Sequence, residues 1–199
     1  TTCRLGEDDY ELVAQTVPGA LGVNATIRLI NRSTFIRDFG SLGLELEDRV
    51  RLVEEIRSGL GLVLITAPVY NGAVTTAYSI MSYLAQGQRD VLSIESPIHW
   101  RMDGVRQVEA DVGPDGPRIE ATLRSMIAVK PDVLMLSSLP DYRAAALAVQ
   151  LASNVLVVAQ MTAASAARGL VALRDMGIQP QLLASSLGVA MGQRLVRTI

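Results

Sequence analysis

Four apolar runs, each followed by a segment of helical spacing, constrain this chain most. They are "LVLITA" (62–67), "DVLSIES" (90–96), "PDVLMLSSL" (131–139) and "NVLVVAQ" (154–160). A strand with one wet face alternates apolar and polar residues, and these runs do not, so both faces are expected to be buried. Strands of that kind joined through helices lie parallel, because a parallel pair needs a long crossover. The helical spacing is clearest in "GSLGLELEDRVRLVEEIRSG", where Leu46, Val50, Val53 and Ile56 recur and Gly59 supplies a stop. Further helices are expected from about Thr75 to Ala85 and over "IEATLRSMIAVK", "DYRAAALAVQLA" and "ASAARGLVALRDMG", the last closed by Gly177. A final helix is expected from Pro180 into "SLGVAMGQRLVR". Ahead of these, residues 10–31 read as two short strands around the turn "PGALG", and "VGPDGPR" reads as a turn-rich stretch. In parallel sheets ligands gather at the carboxyl ends of strands, so the loops at 67–74, 96–100, 137–141 and 159–165 are where chemistry belongs.

Composition narrows the function classes. The chain has 199 residues, 49% hydrophobic and 19% charged, enough for one domain with a full core and a fragment of another. Net charge is −2 and no basic run stands out, which argues against nucleic acid and against an anionic membrane surface. Cys3 is the only cysteine and His99 the only histidine, so no disulfide within the chain and no thiolate or histidine-rich metal site is expected. Residues 144–167 carry no charge, but Gln150, Ser153, Asn154 and Gln160 interrupt them. They read as a helix end, a turn and a buried strand, not a membrane span. A cytoplasmic setting is the expectation.

The first apolar run leads into Ala67-Pro68-Val69-Tyr70-Asn71-Gly72-Ala73-Val74, then Thr75. A phosphate-binding loop would place G-x-x-x-x-G-K-[ST] there. Taken alone, the segment fits either a degenerate nucleotide pocket or a plain strand–turn–helix connection. His99 has the titration range of a general base. With no nucleophile motif beside it, a surface or partner contact is the favoured reading. Ser137-Ser138 lacks the G-x-S-x-G elbow.

The order of segments resembles the motor domain of the secretion ATPases, the hexameric P-loop proteins of type II secretion and type IV pilus assembly. "TVPGALGVNATIRLIN" and "FGSLGLE" are similar to the end of that family's N-terminal domain and its linker. "GLVLITAP…TTAY" is similar to its strand, phosphate loop and helix. "LSIESPIHW…GVRQVEAD" resembles its Asp box region, "LRSMIAVKPDVLMLSSLPD" its Walker B region, and "LRDMGIQPQLLASSLGVAMGQRLVR" its closing segment. Pro97, Gly104, Gln107, Leu123, Arg124, Pro131, Asp132, Asp141, Gln193 and Arg194 match scaffold positions of that family.

The positions that carry chemistry in the family are replaced. Its phosphate-loop lysine and magnesium-binding hydroxyl correspond to Ala73 and Val74, with Thr75 and Thr76 one step late. A loop glycine corresponds to Tyr70, expected to crowd a cradle that needs positive φ. The only lysine, Lys130, precedes a strand at its amino end, the wrong edge for phosphate. The Asp box, about I-E-D-P-x-E in the family, is Glu95, Ser96, Pro97, Ile98, His99; Glu95 reads as a solvated or hydrogen-bonded loop acid. The Walker B acid corresponds to a serine in Ser137-Ser138, Pro140 stands where arginine is usual, and the His-box histidine corresponds to Thr162. Arg28 is a candidate remnant of a phosphate-contacting finger.

The resemblance implies an α/β, RecA-like P-loop NTPase fold: a mostly parallel central sheet flanked by helices, preceded by a short β segment. Residues 1–45 would be the end of an N-terminal domain with its linker, and 46–199 the core. The implied function is a non-hydrolysing secretion-ATPase-like protein with a structural or regulatory role. The alternatives are a sensor that binds ATP or ADP without turnover, or an ATPase completed by a neighbouring subunit. No cofactor is expected, with ATP and magnesium disfavoured and no zinc. The implied partners are the chain itself, an active paralogue, and inner-membrane platform components that would hold it at the cytoplasmic face. No transmembrane segment is expected.

Overall fold

The computed structural model describes residues 2–6, 8–20, 22–31, 38–110 and 119–197. The chain divides into two compact units, Thr1–Asp38 and Phe39–Ile199. In the first, β1 (Thr2–Leu5), β2 (Asp8–Gly19) and β3 (Gly22–Asn31) form an antiparallel meander. Gly19 opposite Gly22 closes the β2–β3 hairpin, and Arg28 sits on β3 opposite Val13. The hairpin was legible in the sequence; β1 was not.

The second unit is built on six strands in the order β6-β5-β7-β8-β4-β9, every neighbouring pair parallel. They are β4 (Gly61–Ala67), β5 (Val91–Glu95), β6 (Val105–Glu109), β7 (Val133–Leu136), β8 (Leu156–Thr162) and β9 (Leu187–Gly192). The helices are α1 (Leu46–Ser58), α2 (Ala73–Gln86), α3 (Ile119–Ile127), α4 (Tyr142–Leu151), α5 (Ala166–Asp175) and α6 (Pro180–Ser186). Leu62, Leu64, Leu92, Ile94, Leu134, Leu136, Val157 and Ala159 join one core with Leu123, Ala145, Ala148, Leu173 and Leu183 from α3 to α6. The intervening strand residues, such as Val63, Ile65, Met135 and Val158, are fully buried on the opposite face, where Ile56 of α1 and Tyr78, Ile80 and Met81 of α2 are buried too. That two-sided burial is why the strands read as unbroken apolar runs.

Local signals set the boundaries. Gly59 ends α1 with φ +80°, a conformation that costs glycine nothing. Asp141 caps α4 by accepting the Ala144 N–H at 2.9 Å, and Ser165 caps α5 through the Arg168 N–H at 3.3 Å. The uncharged stretch 144–167 resolves into α4, a turn and β8, and among the described residues no helix is long and apolar enough to cross a membrane.

Three expectations are corrected. The final helix stops at Ser186, and "LGVAMG" is instead the edge strand β9 alongside β4. Short apolar runs do not distinguish helix from strand by periodicity. Here Thr66 on β4 decides by donating its hydroxyl to the Met191 carbonyl at 2.9 Å. The strand β6 lies in a region where no strand was expected, because its mixed composition suits a half-exposed edge. On α1 the buried residues are Leu52 and Ile56, while Leu46 and Val50 are 64% and 47% exposed. Of the expected stripe Ile56 is buried and Val53 half-buried, so its second half holds, but packing on β4 and β9 covers Leu52 in place of Leu46 and Val50. The "VGPDGPR" turn lies within 111–118, outside the described residues.

Candidate functional site

Parallel pairing delivers the carboxyl ends of all six strands to one side of the sheet. The segment after β4 lies between the ends of β8 and β9, its neighbours in the sheet. Ala67 pairs with Thr162, and the Ala163 N–H donates to the Ala67 carbonyl at 3.2 Å. Thr162 is therefore at the end of β8, on the strand and not in a loop. Pro68 to Asn71 closes as a turn, with the Asn71 N–H donating to the Pro68 carbonyl at 3.2 Å and its side-chain amide to Val69 at 3.0 Å. Tyr70 and Gly72 take φ of +63° and +83°. The Tyr70 side chain, expected to crowd the loop, is 75% exposed, and the residue itself adopts the left-handed backbone. Ala73, Val74 and Thr75 form the first turn of α2, half-buried.

The residues after β9 cross beside this loop. The Gln193 N–H donates to Thr66 at 2.8 Å, and its side-chain carbonyl accepts the Thr76 hydroxyl at 2.7 Å. A Cβ on Gly72 would stand 2.6 Å from the Gln193 side-chain nitrogen and make that side chain shift, and the φ of +83° there favours glycine in any case. The Leu195 N–H donates to Asn71 Oδ1 at 3.2 Å.

Glu95, at the end of β5, is fully buried, not solvated. One carboxylate oxygen accepts the Tyr78 hydroxyl; the other accepts Ser93 Oγ at 2.5 Å and Gln107 Nε2 at 3.0 Å. Tyr78 in turn accepts the N–H groups of His99 and Trp100 at 3.1 and 3.2 Å. Gln107 completes the ring through Met102 N–H at 2.8 Å and the Trp100 carbonyl at 2.6 Å. Burial pushes the Tyr78 phenol well above its ordinary range, and the hydrogen bond and charge of Glu95 push it the same way. Tyr78 thus stays a proton donor. This network fastens segment 96–102 to the sheet.

Ser137 Oγ accepts the Ser96 N–H at 3.0 Å, bringing together two of the expected site residues. Ser138 and His99 are half-buried nearby in chain order, and Thr162 is exposed. Arg28 belongs to the first unit, and its side chain is outside the described residues. The sequence reading did not anticipate the roles of Tyr78, Ser93 and Gln193. A tyrosine and a serine at otherwise apolar positions were the available signal. Gln160 on β8 was also missed; its buried Nε2 has no acceptor among the described residues. Among those residues no group of three His, Cys, Asp or Glu side chains converges as a metal site.

The family model for type II/IV secretion system protein matches residues 1–199, the full chain. The chain belongs to the type II/IV secretion system protein family. It is 32% identical over 197 residues to type II secretion system protein E of Aeromonas hydrophila, covering 98% of this chain and 39% of that protein. It is 31% identical over 201 residues to the type II secretion system ATPase E of Vibrio cholerae, again covering 98% of this chain and 39% of the relative. The chain thus spans about two-fifths of the length of these relatives. Among solved structures, the ATPase DotB of Legionella pneumophila superposes with a TM-score of 0.74 at 19% identity, over 100% of this chain and 58% of DotB. The pilus retraction motor PilT with bound ADP gives 0.73 at 23% identity, over 92% of this chain and 54% of PilT. These likenesses establish the RecA-like fold of the family.

Several of the positions singled out by the resemblance have physical reasons here. Asp132 accepts the Asp90 N–H at 2.9 Å and Asp141 caps α4. Gln107 organises segment 100–102, Gln193 ties β9 to α2, and Gly104 takes φ +76°. These positions serve the fold.

Proposed function

We propose that this chain is a secretion-ATPase-like protein that does not hydrolyse ATP and that serves a structural or regulatory role in a type II secretion or type IV pilus type machinery. One observation carries the reading: at each strand end where the family places a charged catalytic group, the side chain here is neutral or already hydrogen-bonded within the protein. Ala73 and Val74 supply neither a cation nor a magnesium hydroxyl, Thr76 is committed to Gln193, and Ser137 accepts a backbone N–H. Glu95 has three side-chain donors and no exposure. These residues do not fit a nucleoside triphosphate with magnesium.

Phosphoryl transfer depends on positioned charge, so it fails when the charges go. Losing one preorganised donor costs ~3–4 kcal/mol in the transition state. Losses within one site do not add, but here no partial site is left to carry the rate. The chain would act with itself or with an active paralogue, at the cytoplasmic face of the inner membrane through platform components. A second reading, nucleotide binding without turnover, draws support from positive φ at Tyr70 and Gly72 ahead of the α2 N-terminus.

Calorimetric titration with ATP and magnesium, alongside a phosphate-release assay, separates these readings. No heat and no release is expected. Binding at ~100 times the dissociation constant would stabilise the fold by ~2.7 kcal/mol and favour the sensor. Measurable release would refute both. In the double variant Ala73→Lys with Val74→Thr, only partial recovery of binding is expected, because Ser96 and Ser137-Ser138 still supply no carboxylate beside the loop. Strong binding would show that the loop alone suffices to hold the nucleotide.

A further inference from the structure

The loop face has a composition unlike the rest of the molecule. Residues 61–88 contain no charged side chain, and residues 156–174 and 176–197 contain arginines but no carboxylate, in a chain of net charge −2. Four large apolar side chains stand exposed at the loop and the segment beside it: Val69 at 60%, Tyr70 at 75%, Leu195 at 66% and Val196 at 84%. They share one rim, because Leu195 is bonded to Asn71 and its side chain packs against Gly72. Arg194 reaches the Ala164 carbonyl at 3.4 Å, and Gly192 packs against Ser165 and Ala166, which brings the first turn of α5 with Arg168 to the same rim.

None of Arg168, Arg194 and Arg197 has a carboxylate partner among the described residues, whereas Arg106, Arg124 and Arg174 each do. Exposed apolar side chains rimmed by arginine, with lysine and carboxylates absent, match the cores and rims of protein interfaces. Three cations in a chain of net negative charge are too few to hold a nucleic-acid backbone or a membrane surface.

We propose that the face framed by Val69–Tyr70, Arg168 and Arg194–Arg197 docks an acidic, partly apolar segment of a partner protein. Val69, Tyr70 and Leu195 take its apolar anchors, and the guanidinium groups of Arg168, Arg194 and Arg197 take its carboxylates. The inference does not depend on the absence of ATP hydrolysis: release of phosphate would refute the preceding proposal and leave this one in place.

The test uses a labelled peptide of about 12 residues in which glutamate pairs alternate with leucine, followed by fluorescence anisotropy. Saturable binding is expected, weakened about tenfold at roughly 0.5 M salt and about tenfold by Arg194→Glu. Tyr70→Ser is expected to weaken it comparably, while Val129→Ser, exposed in the turn that leads into the amino end of β7, leaves it unchanged. Circular dichroism verifies that each variant is folded. Absent binding, or equal binding by all variants, overturns the proposal. Binding of phosphatidylglycerol vesicles through the same residues replaces the partner segment with a lipid surface and also overturns it. Self-association of the free chain that Arg194→Glu abolishes, seen by light scattering, assigns the face to a second copy and overturns it too.

Discussion

Replacing Tyr78 by phenylalanine removes one oxygen and tests whether the Glu95 network holds the carboxyl end of the sheet together. That oxygen donates to Glu95 and accepts the N–H groups of His99 and Trp100. A hydrogen bond to a charged group contributes about 1.5–3 kcal/mol, and each buried polar group left unsatisfied costs about 1–3 kcal/mol. Glu95 is fully buried, so its oxygen bears the full loss; His99 and Trp100 are half-buried, and water relieves part of theirs. The sum expected is about 3–4 kcal/mol, a large share of the 5–15 kcal/mol that holds a domain folded. Urea denaturation should show a lower midpoint at unchanged slope, and calorimetry a melting temperature lower by roughly 6–16 °C.

The pH dependence gives an independent reading. The native phenol is raised above the ordinary value near 10, so the unfolded chain loses its proton first as pH rises. The contribution is therefore complete below pH 10 and declines above it, by up to about 1.4 kcal/mol per pH unit from this group. Tyr78→Phe should remove that share of the alkaline decline. A cost below about 1 kcal/mol, or an unchanged alkaline slope, would show that the network is not what fastens segment 96–102.

Tyr70→Gly should stabilise the second unit by about 1 kcal/mol in the same denaturation assay, since a left-handed backbone strains any side chain with a Cβ. Destabilisation would mean that the exposed ring makes contacts that outweigh the strain. Gly169→Ala should cost about 2 kcal/mol despite the better helix propensity of alanine, because its Cβ would lie 2.5 Å from Thr66 Cγ2 on fully buried β4. A neutral result would show that α5 shifts away from the sheet without loss.

Particular residues show where sequence reasoning stops. The runs around Leu64, Ile94, Leu134 and Val157 were readable because burial on both faces leaves no choice of residue type. The caps Asp141 and Ser165 and the stop at Gly59 were readable because their chemistry is local. Strand β9 was not, because "LGVAMG" has no intrinsic period and gains its hydrogen bonds from β4, more than a hundred residues earlier in the chain. The exposure of Leu46 and Val50 on α1 was unreadable for a related reason: a helix with apolar residues on two adjacent stripes takes its orientation from what it meets.

At the candidate site the division is sharper. The absence of a lysine from the loop, of an acid from Ser137-Ser138 and of a histidine at Thr162 is a matter of residue identity, complete in the sequence. The state of the groups that remain is not. Glu95 reads in sequence as a solvated or hydrogen-bonded loop acid; it is hydrogen-bonded, but buried at a strand end, because Tyr78, Ser93 and Gln107 come from an overlying helix, its own strand and the next strand. Tyr70 reads as an obstruction, yet its ring is exposed because the backbone itself turns left-handed. Sequence by itself determined the fold class, the family resemblance and which charges are missing, since these depend on residue type and local spacing. Tertiary structure alone decided the edge strand, the desolvation of Glu95 and the cationic apolar rim around the loop, since each arises from residues distant in the chain meeting in space.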